Sequence, residues 1–381
     1  MLASCEGPMG LAGADGKDGK DGLDANETCK LCHNNTIVQA KAIQYEHSLH
    51  FTGEAFEEGT RNSCAPCHSH QGFLDVIKNN TAATFVVNPS DPAKYINNYT
   101  ASASALPLPG AISCFTCHSS LHKNYESTEF LPLSTTAAVP MTMWGGAKSI
   151  NFTKTSSNLC AKCHQPRPIT ASSGALIDYS KLVSDPTVTY NLSSVSYRTG
   201  IHYGAHGAMA AGVGGIEFGT GYSNSAHVAN ASCTSCHMAT PKELSGGHSF
   251  NAAGNYTGCN TTGCHSTMSA TNTTLTTAQA YITSKLTELA AKLNALGAGH
   301  DILQKDPEDN QYHGYFDIYD QGSNPTGYWK NPDYGEPAFP ALTNAQFGAI
   351  VNYQLVFRDA SKGVHNYPYI KTLLDNSIAA F

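Results

Sequence analysis

Charge is scarce in this chain. Lys, Arg, Asp and Glu make up 13 % of its 381 residues, about half the usual share. Positive charge is the scarcer sign: 22 Lys and Arg stand against 29 Asp and Glu, for a formal net charge of −7. Such a balance leaves little to neutralise phosphates and excludes nucleic acid as a partner. Long hydrophobic runs are missing too. No window of 18 or more apolar residues occurs, so no segment reads as a membrane-spanning helix. Uninterrupted regular structure is also limited. The 34 glycines and 18 prolines, with many Asn, Ser and Thr, point to loops.

What is present is a repeated cysteine-histidine pattern. Five copies have a two-residue spacer: Cys29-Lys30-Leu31-Cys32-His33, Cys64-Ala65-Pro66-Cys67-His68, Cys114-Phe115-Thr116-Cys117-His118, Cys160-Ala161-Lys162-Cys163-His164 and Cys233-Thr234-Ser235-Cys236-His237. A sixth has a four-residue spacer, Cys259-Asn260-Thr261-Thr262-Gly263-Cys264-His265. Chance would give on the order of 0.02 short copies in a chain of this composition, so the five are a design. Two thiols and an adjacent imidazole are what c-type haem attachment needs: two thioether bonds to the porphyrin and one axial ligand to the iron. The long copy is weaker alone and gains its haem reading from the other five.

Twelve of the thirteen cysteines fall in these copies. A disulfide framework has no reason to place His after every second Cys. Zinc sites join one Cys pair to a second pair or to distant His, and six pairs each ending in His fit that poorly. The expected cofactors are therefore six c-type haems. With both propionates of each haem ionised, the net charge becomes about −13 with ferric and about −19 with ferrous iron.

The thirteenth cysteine, Cys5, follows Leu2-Ala3-Ser4. That run resembles a lipobox and makes Cys5 a lipidation candidate, which leaves a lipid anchor as the expected membrane contact. Glycine recurs every third residue from Gly7 to Gly22. Six triplets with one Pro are too few for a collagen triple helix, and a flexible tether is expected. Residues 1–28 thus read as lipobox remnant and tether, 29–270 as a hexahaem body, and 271–381 as a helical C-terminal buttress of the same unit. Within the last segment, Thr276 and Gln279 predict a capping box ahead of a helix ending at Gly297. Thr343 and Gln346 predict another, with a helix running to about Asp359. Pro368 predicts the first position of a third. The stretch 301–340 reads as a long loop.

The sixth iron ligand decides the chemistry. A second imidazole closes the iron and suits electron transfer, whereas an open position admits small molecules. Eleven of the 17 histidines lie outside the motifs: enough for six distal positions with five to spare. Besides the proximal His33, His68, His118, His164, His237 and His265, the distal candidates are His50, His122, His202, His206, His227, His248 and His365. One of His202 and His206 is expected to serve. Tyr45-Glu46-His47-Ser48-Leu49-His50 and Tyr222-Ser223-Asn224-Ser225-Ala226-His227 share Tyr-x-x-Ser-x-His, which ranks His50 above His47. Gly246 and Gly247 suggest that the backbone at His248 passes close to a porphyrin edge. His70 lies too near His68 to face the opposite side of a haem. His300 and His313 are spare ligands, solvent-facing residues, or donors to a neighbouring copy.

These features resemble the secreted multihaem c-type cytochromes of extracellular electron transfer. The resemblance is carried by the Cys5 run and its Gly-x-x tether, by Asn158–Pro168 around the fourth motif, by Tyr222–Met238, and by Asp359-Ala360-Ser361-Lys362-Gly363-Val364-His365-Asn366. The last is similar to the C-terminal Gly-x-His-Asn of the pentahaem nitrite reductase and octahaem oxidoreductase group, where that His is a distal ligand; the resemblance implies the same for His365. That reductase family marks its catalytic haem with Cys-x-x-Cys-Lys, and no motif here ends in Lys. The implied fold is a multihaem cytochrome c: mostly irregular loops with short helices wrapped around six haems, plus a C-terminal helical segment. The implied role is electron transfer at the outer cell surface or outside the cell, as anchored relay or as filament subunit, and not enzymatic. The implied partners are other cytochromes, redox mediators, mineral or other extracellular acceptors, and further copies of the chain. The alternative is a terminal reductase of nitrogen or sulfur oxyanions with one open haem; a structural surface protein is a third reading.

Overall fold

The computed structural model describes residues 34–60, 64–78, 85–88, 91–97, 110–118, 133–169, 176–191, 198–303, 312, 316–317 and 339–381. The first motif, Cys5, the tether, His122 and His313 lie outside the described residues, as does most of the 301–340 stretch. The N-terminal described part is built from α1 (Asn35–Glu46) and a series of one-turn helices, among them Leu49–Thr52, Ala65–His68, Cys114–Cys117, Ser156–Ala161 and Cys233–His237. Three two-stranded antiparallel ribbons complete it, pairing Phe85–Asn88 with Asp91–Asn97, Val139–Pro140 with Ser149–Ile150, and Arg198–Thr199 with Phe316–Asp317.

Three longer helices follow: α2 (Thr273–Ala295), α3 (Asn344–Asp359) and α4 (Tyr367–Ala379). Helix α3 begins as expected, with Thr343 and Gln346 closing a capping box, and Pro368 stands in the first turn of α4. Helix α2 begins a turn earlier than its Thr276 signal. Asn272 takes the cap instead, its side chain accepting from Thr274 and Leu275. Asn is among the strongest N-caps, and Thr276 is left to donate back to the Asn272 carbonyl at 3.2 Å.

Only one face of α2 is buried, through Ile282, Leu289 and Leu293. Fourteen residues of α3 are buried, on every side. A helix covered all round is the centre of a core, and α3 packs with α2 and α4 on one side and the His206–Ala211 helix on another. Its polar residues are used inward. Asn352 accepts from Ile216 N at 2.8 Å and donates to Ile216 O at 2.7 Å. Gln354 accepts from Ile201 N at 2.9 Å, and Arg358 donates to Ile201 O. Two buried amides and a guanidinium thereby satisfy, and fix in place, the backbone of the segment that carries His202 and His206.

Candidate functional site

Each described motif closes into one compact turn. The N–H of the motif histidine donates to the carbonyl of its first cysteine at 3.0 Å for His68 and Cys64, and at 2.9 Å for His118 and Cys114 and for His164 and Cys160. The long copy does the same. Its four-residue spacer loops outward, yet His265 N meets Cys259 O at 3.1 Å. The ten described cysteines are all free thiols. Thiols of different motifs lie against one another: Cys67 with Cys163, Cys160 with Cys233, and Cys236 with Cys259. The fourth motif therefore touches both the second and the fifth, and the fifth touches the sixth.

Every described motif histidine faces a histidine from elsewhere in the chain. Ring centroids are 6.0 Å apart for His68 and His202, 6.3 Å for His118 and His248, and 5.9 Å for His50 and His164. They are 6.2 Å apart for His237 and His365, and 6.0 Å for His227 and His265. With metal–nitrogen bonds of about 2.0 Å and ~1.2 Å more to the ring centre, two imidazoles facing through one ion have centroids ~6.4 Å apart. Five independent pairs sit at or just inside that separation.

His206 has no motif histidine at that separation: it lies 6.3 Å from His365, the partner of His237, and closer still to His164. Its Nδ1 lies 3.3 Å from Nδ1 of His164, with centroids 5.1 Å apart. Ligand nitrogens on opposite sides of one ion stand ~4 Å apart, so this is a hydrogen-bond contact. Of the two candidates flanking Tyr203-Gly204, His202 takes the facing position and His206 supports His164. The contact is tightly built. Gly207 N donates to His164 O at 2.9 Å, and a Cβ on Gly207 would meet that oxygen at 2.6 Å.

Several of these imidazoles are aimed by hydrogen bonds at Nδ1, which leaves Nε2 free. Nδ1 of His68 lies 2.9 Å from Ala55 O, that of His237 2.9 Å from Phe250 O, and that of His227 3.1 Å from Val364 O. Nδ1 of His365 lies 2.6 Å from an Asp359 carboxylate oxygen. Metal ligation needs neutral imidazole, and burial favours it. Desolvation pushes the pKa of His164 and of His202 down to about 3, and that of His248 to about 4.

The Tyr-x-x-Ser-x-His echo has one local form in both copies. Ser48 and Ser225 are N-caps, and His50 and His227 are the second residues of the short helices they open. His47 sits at the C-terminal cap of α1. The glycines before His248 are closely packed against protein. A Cβ on Gly246 would meet Ala239 O at 2.5 Å, and one on Gly247 would meet Gln44 Oε1 at 2.3 Å. His70 binds the third motif's helix through Thr116 Oγ1, 2.7 Å away. His300 lies in the turn after α2, its N–H on Gly297 O.

Three observations fit a large flat apolar group between the paired rings. A cavity of about 270 Å³ runs between Cys64, Cys67 and His68 on one side and Cys163, His164 and His202 on the other. Large apolar side chains on these segments lie open, with Leu49 86 % and Phe115 60 % exposed, which is costly unless something covers them. The buried Nδ1 of His248 has no hydrogen-bond partner. Among the described residues, no three or more His, Cys, Asp or Glu side chains converge to hold a metal ion by themselves. Two imidazoles per site suit an ion whose other four ligands come from a porphyrin.

The chain is similar to an outer cell wall cytochrome, OcwA, known from a crystal structure, with a TM-score of 0.44 and 17 % identity over 89 % of this chain and 50 % of that one. It spans about half that protein's length. No protein-family model matches the chain, and no curated protein does. Among the described residues, no helix is long and apolar enough to cross a membrane.

Proposed function

We propose that the protein is an extracytoplasmic electron carrier holding six covalently attached c-type haems. The observation that carries this is the set of five motif histidines, each facing a second histidine at the separation one ion requires. In this reading His202, His248, His50, His365 and His227 are the distal partners of His68, His118, His164, His237 and His265. The twelve motif cysteines form the thioether bonds, and Cys29, Cys32 and His33 hold the remaining haem. Bound haem iron supplies a one-electron couple.

The chain's part is to fix, shield and space. Imidazoles from both sides leave no coordination position for substrate, which favours carrier over reductase. Ring orientation is held by the Nδ1 contacts, so ligand geometry changes little between oxidation states. Thiol contacts between motifs keep the sites near one another in the order second, fourth, fifth and sixth. Delivery to extracellular acceptors, as anchored relay or filament subunit, extends the same reading.

The test is direct. Purified holoprotein should contain six irons per chain, give a thioether-type pyridine haemochrome, and show purely low-spin ferric spectra. Far fewer irons, or a haemochrome without thioether character, overturns the reading. A high-spin fraction that binds nitrite or sulfite would move the assignment to the reductase.

A further inference from the structure

One second-sphere contact differs in kind from the rest. The Nδ1 partners of His68, His227 and His237 are neutral backbone carbonyls, and that of His164 is another imidazole. Among the described residues of these pairs, His365 alone meets a carboxylate, Asp359 Oδ1, at 2.6 Å. Asp359 is 1 % exposed. A hydrogen bond to an ionised acceptor is roughly twice as strong as a neutral one, and burial removes the water that would screen it.

The loop between them is built to hold that contact. Asp359 ends the buried helix α3, so its backbone cannot drift. Ala360, Lys362 and Gly363 all take positive φ, at 56°, 52° and 92°, a conformation non-glycine residues adopt only when their surroundings impose it. Ser361 fills the gap: its hydroxyl donates to Asp359 Oδ2 and accepts from His365 N. The adjacent Asn366 ties the loop to the His227 segment, accepting from Ser225 N at 2.9 Å and donating to Asn224 Oδ1 at 2.8 Å.

We propose that Asp359 is a positioning residue that sets the reduction potential at the fifth motif, Cys233–His237, to the lowest among the described sites. The inference rests on the haem reading above and on His365 as the distal ligand there. By drawing the Nδ1 proton, the carboxylate makes the imidazole a stronger electron donor and favours ferric over ferrous iron. The other described sites have carbonyl or imidazole contacts at Nδ1 or, for His248, no Nδ1 partner at all, and lack that pull.

The experiment is potentiometric titration of the full-length holoprotein at an electrode, which supplies and removes the electron. Asp359→Asn keeps a side-chain oxygen in place and removes the charge. With six haems still attached and all still low-spin, the lowest midpoint should rise. The ferrous-to-ferric ratio at fixed potential should grow on the order of tenfold, which is 59 mV for one electron. Ser361→Ala removes the donor that tempers the carboxylate, and the same midpoint should fall. Opposite shifts of one wave support the proposal, since general loosening would move both variants the same way. Unmoved midpoints in six-haem variants overturn it and leave the haem reading intact. If Asp359→Asn does not accumulate, Ser361→Ala decides alone: a downward shift supports, no shift overturns. A wild-type chain without six thioether-linked haems would instead overturn the function on which the inference rests.

Discussion

The His265 N–H donates to the Cys259 carbonyl at 3.1 Å across a spacer of four residues. Shorter motifs make the same bond across two. The extra residues bulge through Thr261 to Gly263, with Gly263 at φ 85°, and the ends of the motif return to the common form. Substituting Cys264 with Ser should therefore remove one covalent link without disturbing the other five sites. Intact-mass measurement after denaturation in a non-covalent solvent should keep that haem on Cys259 alone. The Cys259→Ser/Cys264→Ser double variant should lose the mass of one haem. Unchanged haem content in the double variant would show the long copy to be idle.

Cysteine accounting gives a second check. If twelve thiols are consumed by thioether bonds, the denatured holoprotein should present at most one reactive thiol, Cys5, to a thiol reagent. The haem-free chain should present many more, and it should be prone to crosslinking between Cys67 and Cys163 or between Cys160 and Cys233, whose sulfurs lie together. Several reactive thiols in fully haem-loaded material would contradict the assignment.

His202 and His206 should respond oppositely to removal. His202→Ala takes away the ring facing His68, so one site in six should become high-spin and bind carbon monoxide when reduced. His206→Ala removes only the hydrogen-bond partner of His164, and all sites should remain low-spin. The reverse result would exchange their roles.

Asn352 offers a stability test away from any cysteine. It satisfies both the N–H and the carbonyl of Ile216 and also donates to Ser377 at 2.8 Å. Asn352→Ala leaves buried backbone groups unpaired, which costs about 1–3 kcal/mol per group. The denaturation midpoint should fall accordingly, with haem content unchanged in material that folds. A shift within error would mean that the loop finds other partners.

What could be read from sequence was whatever is written locally. The motif cysteines and histidines announce themselves by spacing, and the caps of α3 and α4 by Thr343, Gln346 and Pro368. Asn272 was eclipsed by the Thr276 signal one turn later, because a capping box and a lone Asn look alike in weight until the backbone chooses. The echo located His50 and His227 because each sits in a Ser-capped turn that a short pattern can specify. Pairing was not legible. That His202 meets His68 while His206 meets His164 depends on how α3 grips the Ile201 and Ile216 backbone, through polar residues that a hydrophobic pattern treats as noise. Asp359 was visible as a helix end and as the start of the Asp359–Asn366 segment, but its contact with His365 depends on positive φ at Ala360, Lys362 and Gly363, which no propensity foretells.

The facing histidines also carry a timetable. His202, His248 and His365 each lie over a hundred residues downstream of His68, His118 and His237, whereas His50 and His227 precede His164 and His265. A chain emerging from its N-terminal end would thus complete its fourth-motif pair first and its fifth-motif pair last. Until residue 365 arrives, His237 lacks its counterpart, so on the proposed haem reading a newborn molecule would pass through stages in which iron gripped on one flank is open to stray ligands and in need of shelter.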